Sequence, residues 1–298
     1  MPLLRLLTVE ERVVPLALAL AALPDSVYES IDRGEPEWPI LERLVSLGPV
    51  SILTGLALAL SDFQLGAGGA ARYWSEIGIL LDEIQPKSPV RIREFMFRLM
   101  ARPVASRLRD LKLARIDKLL GSGVPAFLAS RTVEELGREP LVLWRAVAAG
   151  MRQLPQAKTI AFSMKVFDLM HRTTTGHYAT FPPDVPIVAD LRIARVSLSS
   201  GLLRPADDAP VLAAMAAVAG AETVDQERVR AVWAKVAQAA VRLSLFRIDS
   251  LAWQVAEPIY RRRRNRTAAE EAVRSVMDGY RPPDGCAGQV ATELVAAL

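Results

Sequence analysis

The sequence predicts an all-α protein, and three observations carry that prediction. Alanine, leucine and arginine dominate the 298 residues. Apolar residues return every three or four positions through Glu42–Leu60, Arg91–Leu120, Leu141–Met151 and Val211–Leu245, the period of a helix with one buried face. Sustained period-two alternation, the mark of a half-buried strand, is missing. Turn-forming residues punctuate the chain at Asp32–Pro39, Gly66–Gly69, Pro86–Pro89, Gly121–Pro125, Pro182–Pro186 and Arg204–Pro210. No internal repeat is evident. These breaks suggest an N-terminal helical lobe to about Ser130, a second lobe over 131–260 and a basic C-terminal extension over 261–298.

Two early runs, Val13–Leu23 and Val50–Leu60, are strongly apolar. Both are well short of the roughly 18 residues that a bilayer-spanning helix needs. Glu10 and Glu11 precede the first, where a secretory signal would carry basic residues. Buried core helices are expected instead. An apolar content of 51% with 23% charge belongs to a folded chain with a substantial core. The net charge of +4 suits a polyanionic partner without identifying one.

Cys286 is the only cysteine, and His171 and His177 are the only histidines. An internal disulfide and a four-cysteine cluster are therefore ruled out, and a zinc site built from these residue types is not expected. Organic chemistry without a metal or cofactor is the expectation, in a reducing cytoplasm.

The most informative stretch is Ala148–Ser200. A helix ending near Arg152 meets Leu154–Pro155–Gln156–Ala157, and a second helix starts around Lys158 and runs to His171. Helices joined this tightly form a helix–hairpin–helix, whose free backbone N–H groups suit a phosphate. Lys158 falls in the first turn of the second helix. The positive end of the helix dipole, with desolvation, favours the neutral amine that a nucleophile needs. The other reading is a solvated surface lysine, but only six of the 37 basic residues are lysines and one stands at this turn. Downstream, Phe181–Pro182–Pro183–Asp184–Val185–Pro186 enforces an extended return, and Asp190 opens a helix over Leu191–Ser200. Asp190 reads as an N-cap, and a cap also holds a carboxylate rigidly enough for catalysis.

Leu154–Ala161 with Val188–Asp190 and Arg195 resembles the signature of the helix–hairpin–helix DNA glycosylases. More closely, Gln156–Lys165 together with Asp184–Arg195 resembles the archaeal 8-oxoguanine DNA glycosylase/AP lyase family, and the Lys158–Asp190 interval suits it. The resemblance runs from about Pro36 to about Tyr260 and is weak over Lys87–Arg138. The turn lacks the two glycines of the wider superfamily. The resemblance implies two helical lobes with the helix–hairpin–helix and an active-site cleft between them. It implies a bifunctional enzyme in which Lys158 attacks C1′, the oxidised base leaves, and a Schiff base permits strand cleavage. Asp190 would assist lysine deprotonation and stabilise positive charge on the sugar. The implied partner is double- or single-stranded DNA carrying 8-oxoguanine, met by a monomer with no membrane and no metal.

The resemblance also implies a base pocket. Trp74 and Trp253 match stacking positions, Ser61 and Phe162 match pocket positions, and Pro186 would lie on the return loop beside the base. Asp249 stands four residues before Trp253, on the same helix face. Trp and Phe at helical spacing are otherwise core residues, as Trp38, Trp144 and Trp233 are read to be. Glu37 falls where the family has a base-reading glutamine. As an ionised carboxylate it would grip the two adjacent donors of guanine, and its other reading is a solvated loop residue. Arg261–Arg264 with Arg266 reads either as a phosphate contact or as a helix face balanced by Glu270 and Glu271. Three competing functions remain open at this level: a glycosylase for another damaged base, a non-catalytic helical DNA-binding protein, and a protein–protein scaffold.

Overall fold

Helix formation follows the apolar periodicity, and what the periodicity leaves unsaid is where each helix stops. The computed structural model of the chain describes residues 4–182, 185–218, 224–241 and 243–298. Pro183 and Asp184 of the extended return, and residues 219–223 and 242 of the Val211–Leu245 stretch, lie outside the described residues. In order, the helices are α1 (Val13–Ala21), α2 (Asp25–Arg33), α3 (Trp38–Val45), α4 (Ser51–Ser61), α5 (Gly69–Glu83), α6 (Pro89–Met100), α7 (Arg109–Leu120), α8 (Val124–Ala129) and α9 (Val133–Arg138). They continue with α10 (Pro140–Met151), α11 (Lys158–Thr175), α12 (Leu191–Ser199), α13 (Val211–Ala217), α14 (Gln226–Ala239), α15 (Leu245–Arg262), α16 (Arg266–Asp278) and α17 (Cys286–Leu294). Among the described residues the protein is all-α apart from a small antiparallel pair, β1 (Leu6–Thr8) with β2 (Leu203–Pro205), in which Leu7 faces Arg204. Three residues are too few for alternation to announce a strand.

Three of the expected long helices are interrupted, Val211–Leu245 being divided among α13, α14 and the start of α15. Arg91–Leu120 breaks over residues 101–108, where Pro103 lacks a donor and Leu108 turns left-handed at φ 55°. Glu42–Leu60 breaks at a 3₁₀ turn, Gly48–Val50, where Gly48 takes φ +71°.

The chain divides into two units, 34–181 and 1–33 with 182–298. The division differs from the lobe boundary expected near Ser130. In the 34–181 unit, α11 packs against α3, α4, α9 and α10, so helices on both sides of residue 130 share one core. Every residue of α4 is buried, and Gly55 makes room for α11: a Cβ there would overlap the Met170 sulfur. In the other unit, residues 261–298 are no extension. There α16 lies against α15 and α17, and α17 lies against α1. Arg12 closes the arrangement with an ion pair to Glu293 at 2.5 Å and a hydrogen bond to the Ser200 carbonyl at 3.1 Å. Among the described residues no single helix is long and apolar enough to cross a membrane. Of the two apolar runs, α1 buries one face and α4 is buried throughout.

Candidate active site

The hairpin is a tight join between α10 and α11. α10 ends in a Schellman motif, in which the Gln153 N–H donates to the Ala148 carbonyl and the Arg152 N–H to that of Ala149, both at 2.9 Å. Arg152 takes the left-handed conformation at φ 49°, where glycine would meet no steric cost. Other contacts hold the turn in place. The Trp144 indole N–H donates to the Pro155 carbonyl at 2.9 Å. Arg115, on α7, donates to Thr159 Oγ1 at 2.6 Å, to Gln153 Oε1 at 3.2 Å and to the Leu60 carbonyl at 3.1 Å. The turn is thus bound to α7 and to the end of α4 rather than to glycine geometry.

Lys158 is the first residue of α11 and is exposed, whereas Ile160, Ala161 and Ser163–His171 are buried. The residue before it, Ala157, provides no side-chain cap. Phe162 and Lys165 follow Lys158 at i+4 and i+7, on one helix face. Phe162 is half-buried. Lys165 is sealed in the core, paired with Glu35 at 3.1 Å, and both side chains are only 2% exposed.

Glu37 is buried beside this pair. Burial, then the neighbouring Glu35 charge, push its carboxyl well above the ordinary range; Lys165 only partly opposes them. Its surroundings therefore disfavour the ionised carboxylate, and its burial excludes the solvated loop residue, the other reading of the sequence.

Trp74 also differs from expectation. It is fully buried, edge-on to Tyr73 at 5.7 Å, and its indole N–H donates to Asp62 Oδ2 at 3.0 Å. The amphipathic α5 turns it inward, so no indole face is open for a base to stack on. Ser61 is likewise sealed, its hydroxyl donating to the Ala57 carbonyl at 2.8 Å and lying 3.1 Å from the Tyr73 hydroxyl. Lys112 is buried with its ammonium 3.1 Å from the Ala105 carbonyl and 5.3 Å from the Phe63 ring centre. Burial pushes its pKa down to about 8, against the pull of Asp62. Of the tryptophans read as packing residues, Trp38, Trp144 and Trp233 are all buried.

In the other unit, Asp190 caps α12. Its Oδ1 accepts from the backbone N–H of Arg192 at 2.8 Å and of Ile193 at 3.1 Å. Pro186 is half-buried four residues earlier on the extended return. α15 packs on α12 and carries Asp249, buried, and Trp253, half-buried, on one face. The Arg192 guanidinium covers one side of Trp253, 3.9 Å from the ring centre. One turn beyond, Arg195 lies 3.5 Å from the Tyr260 ring centre.

The N-glycosylase/DNA lyase family model matches residues 17–284, nearly the whole chain. The chain belongs to the AGOG family. A curated N-glycosylase/DNA lyase from Methanopyrus kandleri is 29% identical over 170 residues, which make up 54% of this chain and 65% of that relative. That match spans a little less than two thirds of the relative's length. The fold is similar to a crystal structure of Pa-AGOG, the 8-oxoguanine DNA glycosylase of Pyrobaculum aerophilum, in complex with 8-oxoguanosine. The TM-score is 0.66 at 18% identity, covering 93% of this chain and 99% of that one.

Within this AGOG chain, sequence reasoning passed over Glu35, Asp62, Lys112, Arg115, Lys165 and Arg192. Lys165 carried a signal, its place two turns along the Lys158 face. Asp62 adjoins Ser61, but nothing local links it to Trp74.

Glu37 supplies a stability test. A carboxyl whose pKa is higher folded than unfolded favours the folded state below its ordinary value, 4.5. That contribution is lost as pH rises towards the folded pKa. Glu37→Gln, which cannot ionise, should therefore be more stable than the native protein at pH 8, with the gain vanishing below pH ~4. Denaturant midpoints at both pH values measure it; a gain that is equal at both, or a loss at pH 8, contradicts a neutral Glu37.

Proposed function

We propose that this AGOG protein is a bifunctional DNA N-glycosylase/AP lyase that removes 8-oxoguanine. The neutral Lys158 amine attacks C1′ as the C1′–N9 bond breaks and the base leaves with a proton. Loss of the amine proton and opening of the sugar give a C1′ Schiff base. Removal of a C2′ proton then expels the 3′ phosphate, cutting the strand by β-elimination. The observation that supports this most is Lys158 itself: an exposed lysine in the uncapped first turn of a helix whose body is sealed, in a chain of this family. The positive helix end welcomes a phosphate.

Asp190 serves as the carboxylate that takes the lysine proton and steadies the developing sugar cation. Its two cap hydrogen bonds fix its orientation, so cap and catalyst are one device. Trp253 stacks on the base with the face that Arg192 leaves open, while Phe162, Pro186 and Asp249 contribute further base contacts. Trp74 and Ser61 act from behind, holding Asp62 and Tyr73. Glu37, as a neutral acid, donates through one oxygen and accepts through the other, the pattern of the glutamine it replaces.

Two experiments test the assignment. Lys158→Gln should abolish base release from an 8-oxoguanine duplex while leaving DNA binding within a few-fold. Asp190→Asn keeps a capping side chain and should slow base release by about 10²-fold or more with little change in melting temperature. Full activity with a lowered melting temperature would reduce Asp190 to a cap. Glu37→Gln, which can also donate and accept, should keep base release within a few-fold, whereas Glu37→Ala should slow it; equal rates for the native protein and Glu37→Ala rule out base reading.

A further inference from the structure

The turn between α15 and α16 concentrates positive charge as no other segment of the chain does. Arg261, Arg262, Arg263, Arg264 and Arg266 fall within six residues. Arg261–Arg264, Asn265 and Ala268 line an open cavity of about 390 Å³.

Most of this charge is left without a counter-ion. Arg261 pairs with Glu257 at 2.8 Å. Arg263 lies 4.0 Å from the Tyr260 ring centre and donates to the Tyr260 carbonyl at 2.7 Å. Arg195 lies against the same ring, at 3.5 Å. Arg262, Arg264 and Arg266 are exposed, and among the described residues none has a carboxylate partner. Of the two acids that a balanced helix face would use, Glu270 is engaged, and Glu271, exposed on α16, forms no ion pair with these arginines among the described residues. Glu270 pairs with Arg274 at 2.6 Å and accepts from Thr292 at 2.9 Å, and no acidic residue stands in the first turn of α16.

The Asn265 side chain accepts from the Ala268 N–H at 3.0 Å, fixing the start of a 13-residue helix whose positive end adds to the arginine field. Like charges crowded in one turn repel unless an anion bridges them. Guanidinium groups offer forked donors matched to phosphate oxygens.

We propose that this turn is a phosphate-binding site for the DNA backbone, contacting the strand away from the reacting nucleotide. The proposal rests on the DNA-glycosylase reading above and adds to it a site remote in sequence from the hairpin. Each phosphate contact releases counter-ions, so the site shows itself in the salt dependence of binding rather than in chemistry.

The test compares the native protein, Arg262→Gln/Arg264→Gln and Arg262→Lys/Arg264→Lys on an 8-oxoguanine duplex of about 25 base pairs. In the glutamine variant the slope of log K against log salt should be shallower by roughly 1–2, at about 0.9 per lost contact. The lysine variant should keep the native slope, and single-turnover base release at saturating DNA should be unchanged in both. An identical slope in native protein and glutamine variant overturns the proposal. So does a variant that loses protection by inorganic phosphate against thermal unfolding while keeping its DNA slope, because the site then takes free anions. If the native protein itself binds DNA without salt dependence, the glycosylase reading fails first.

Discussion

The 34–181 unit depends on the sealing of α11. From Ile160 to His171 this helix is buried almost throughout, against α3, α4, α9 and α10, and it brings a charge into that core. Lys165 is tolerable there because Glu35 meets it at 3.1 Å. Removing either partner would strand the other in a medium that solvates it poorly, at about 3–5 kcal/mol. The pair thereby ties α11 to the turn that leads into α3, and Gly55 sets how closely α4 can approach. The sealed body of the helix is the mount on which Lys158 is exposed. Nucleophilic catalysis needs such a mount, because small displacements of a reacting group are costly in rate.

Glu37 lies beside the same pair. Burial, and then the Glu35 charge, disfavour its ionised form, with Lys165 in partial opposition. The other unit handles buried charge in the same way: Asp32 and Arg247 pair at 2.7 Å, tying α2 to α15. Against these matched interiors, the unbalanced arginines between α15 and α16 stand out as charge held ready for a partner outside the chain.

What was legible in the sequence is what local rules determine. Helix periodicity, the Pro155 turn, Lys158 at a helix start and Asp190 at another are each written in a few consecutive residues, and each is found in place. The failures are non-local. A three-residue strand pairs with one nearly two hundred residues later, and α1 packs on α14 and α17, which no window of sequence joins. The expected lobe boundary near Ser130 follows the turn-forming breaks, whereas the actual division follows the packing of α11. Trp74 matches a pocket position of the family, and only its full burial and its hydrogen bond to Asp62 show that it is turned inward. Glu37 is buried beside Lys165, 128 positions away in the chain, a neighbour that no local pattern announces.

The central claim is that Lys158, among six lysines, is the one that bonds to the sugar. Lys112 is the strongest rival, since burial lowers its pKa to about 8 and it too would offer a neutral amine. Borohydride reduction during turnover of an 8-oxoguanine duplex, followed by proteolysis and mass spectrometry of the cross-linked peptide, decides between them. The account predicts a single reduced adduct, on Lys158 in the peptide that begins with Gln153. An adduct on Lys112 or any other lysine, or base release with no adduct at all, would contradict it.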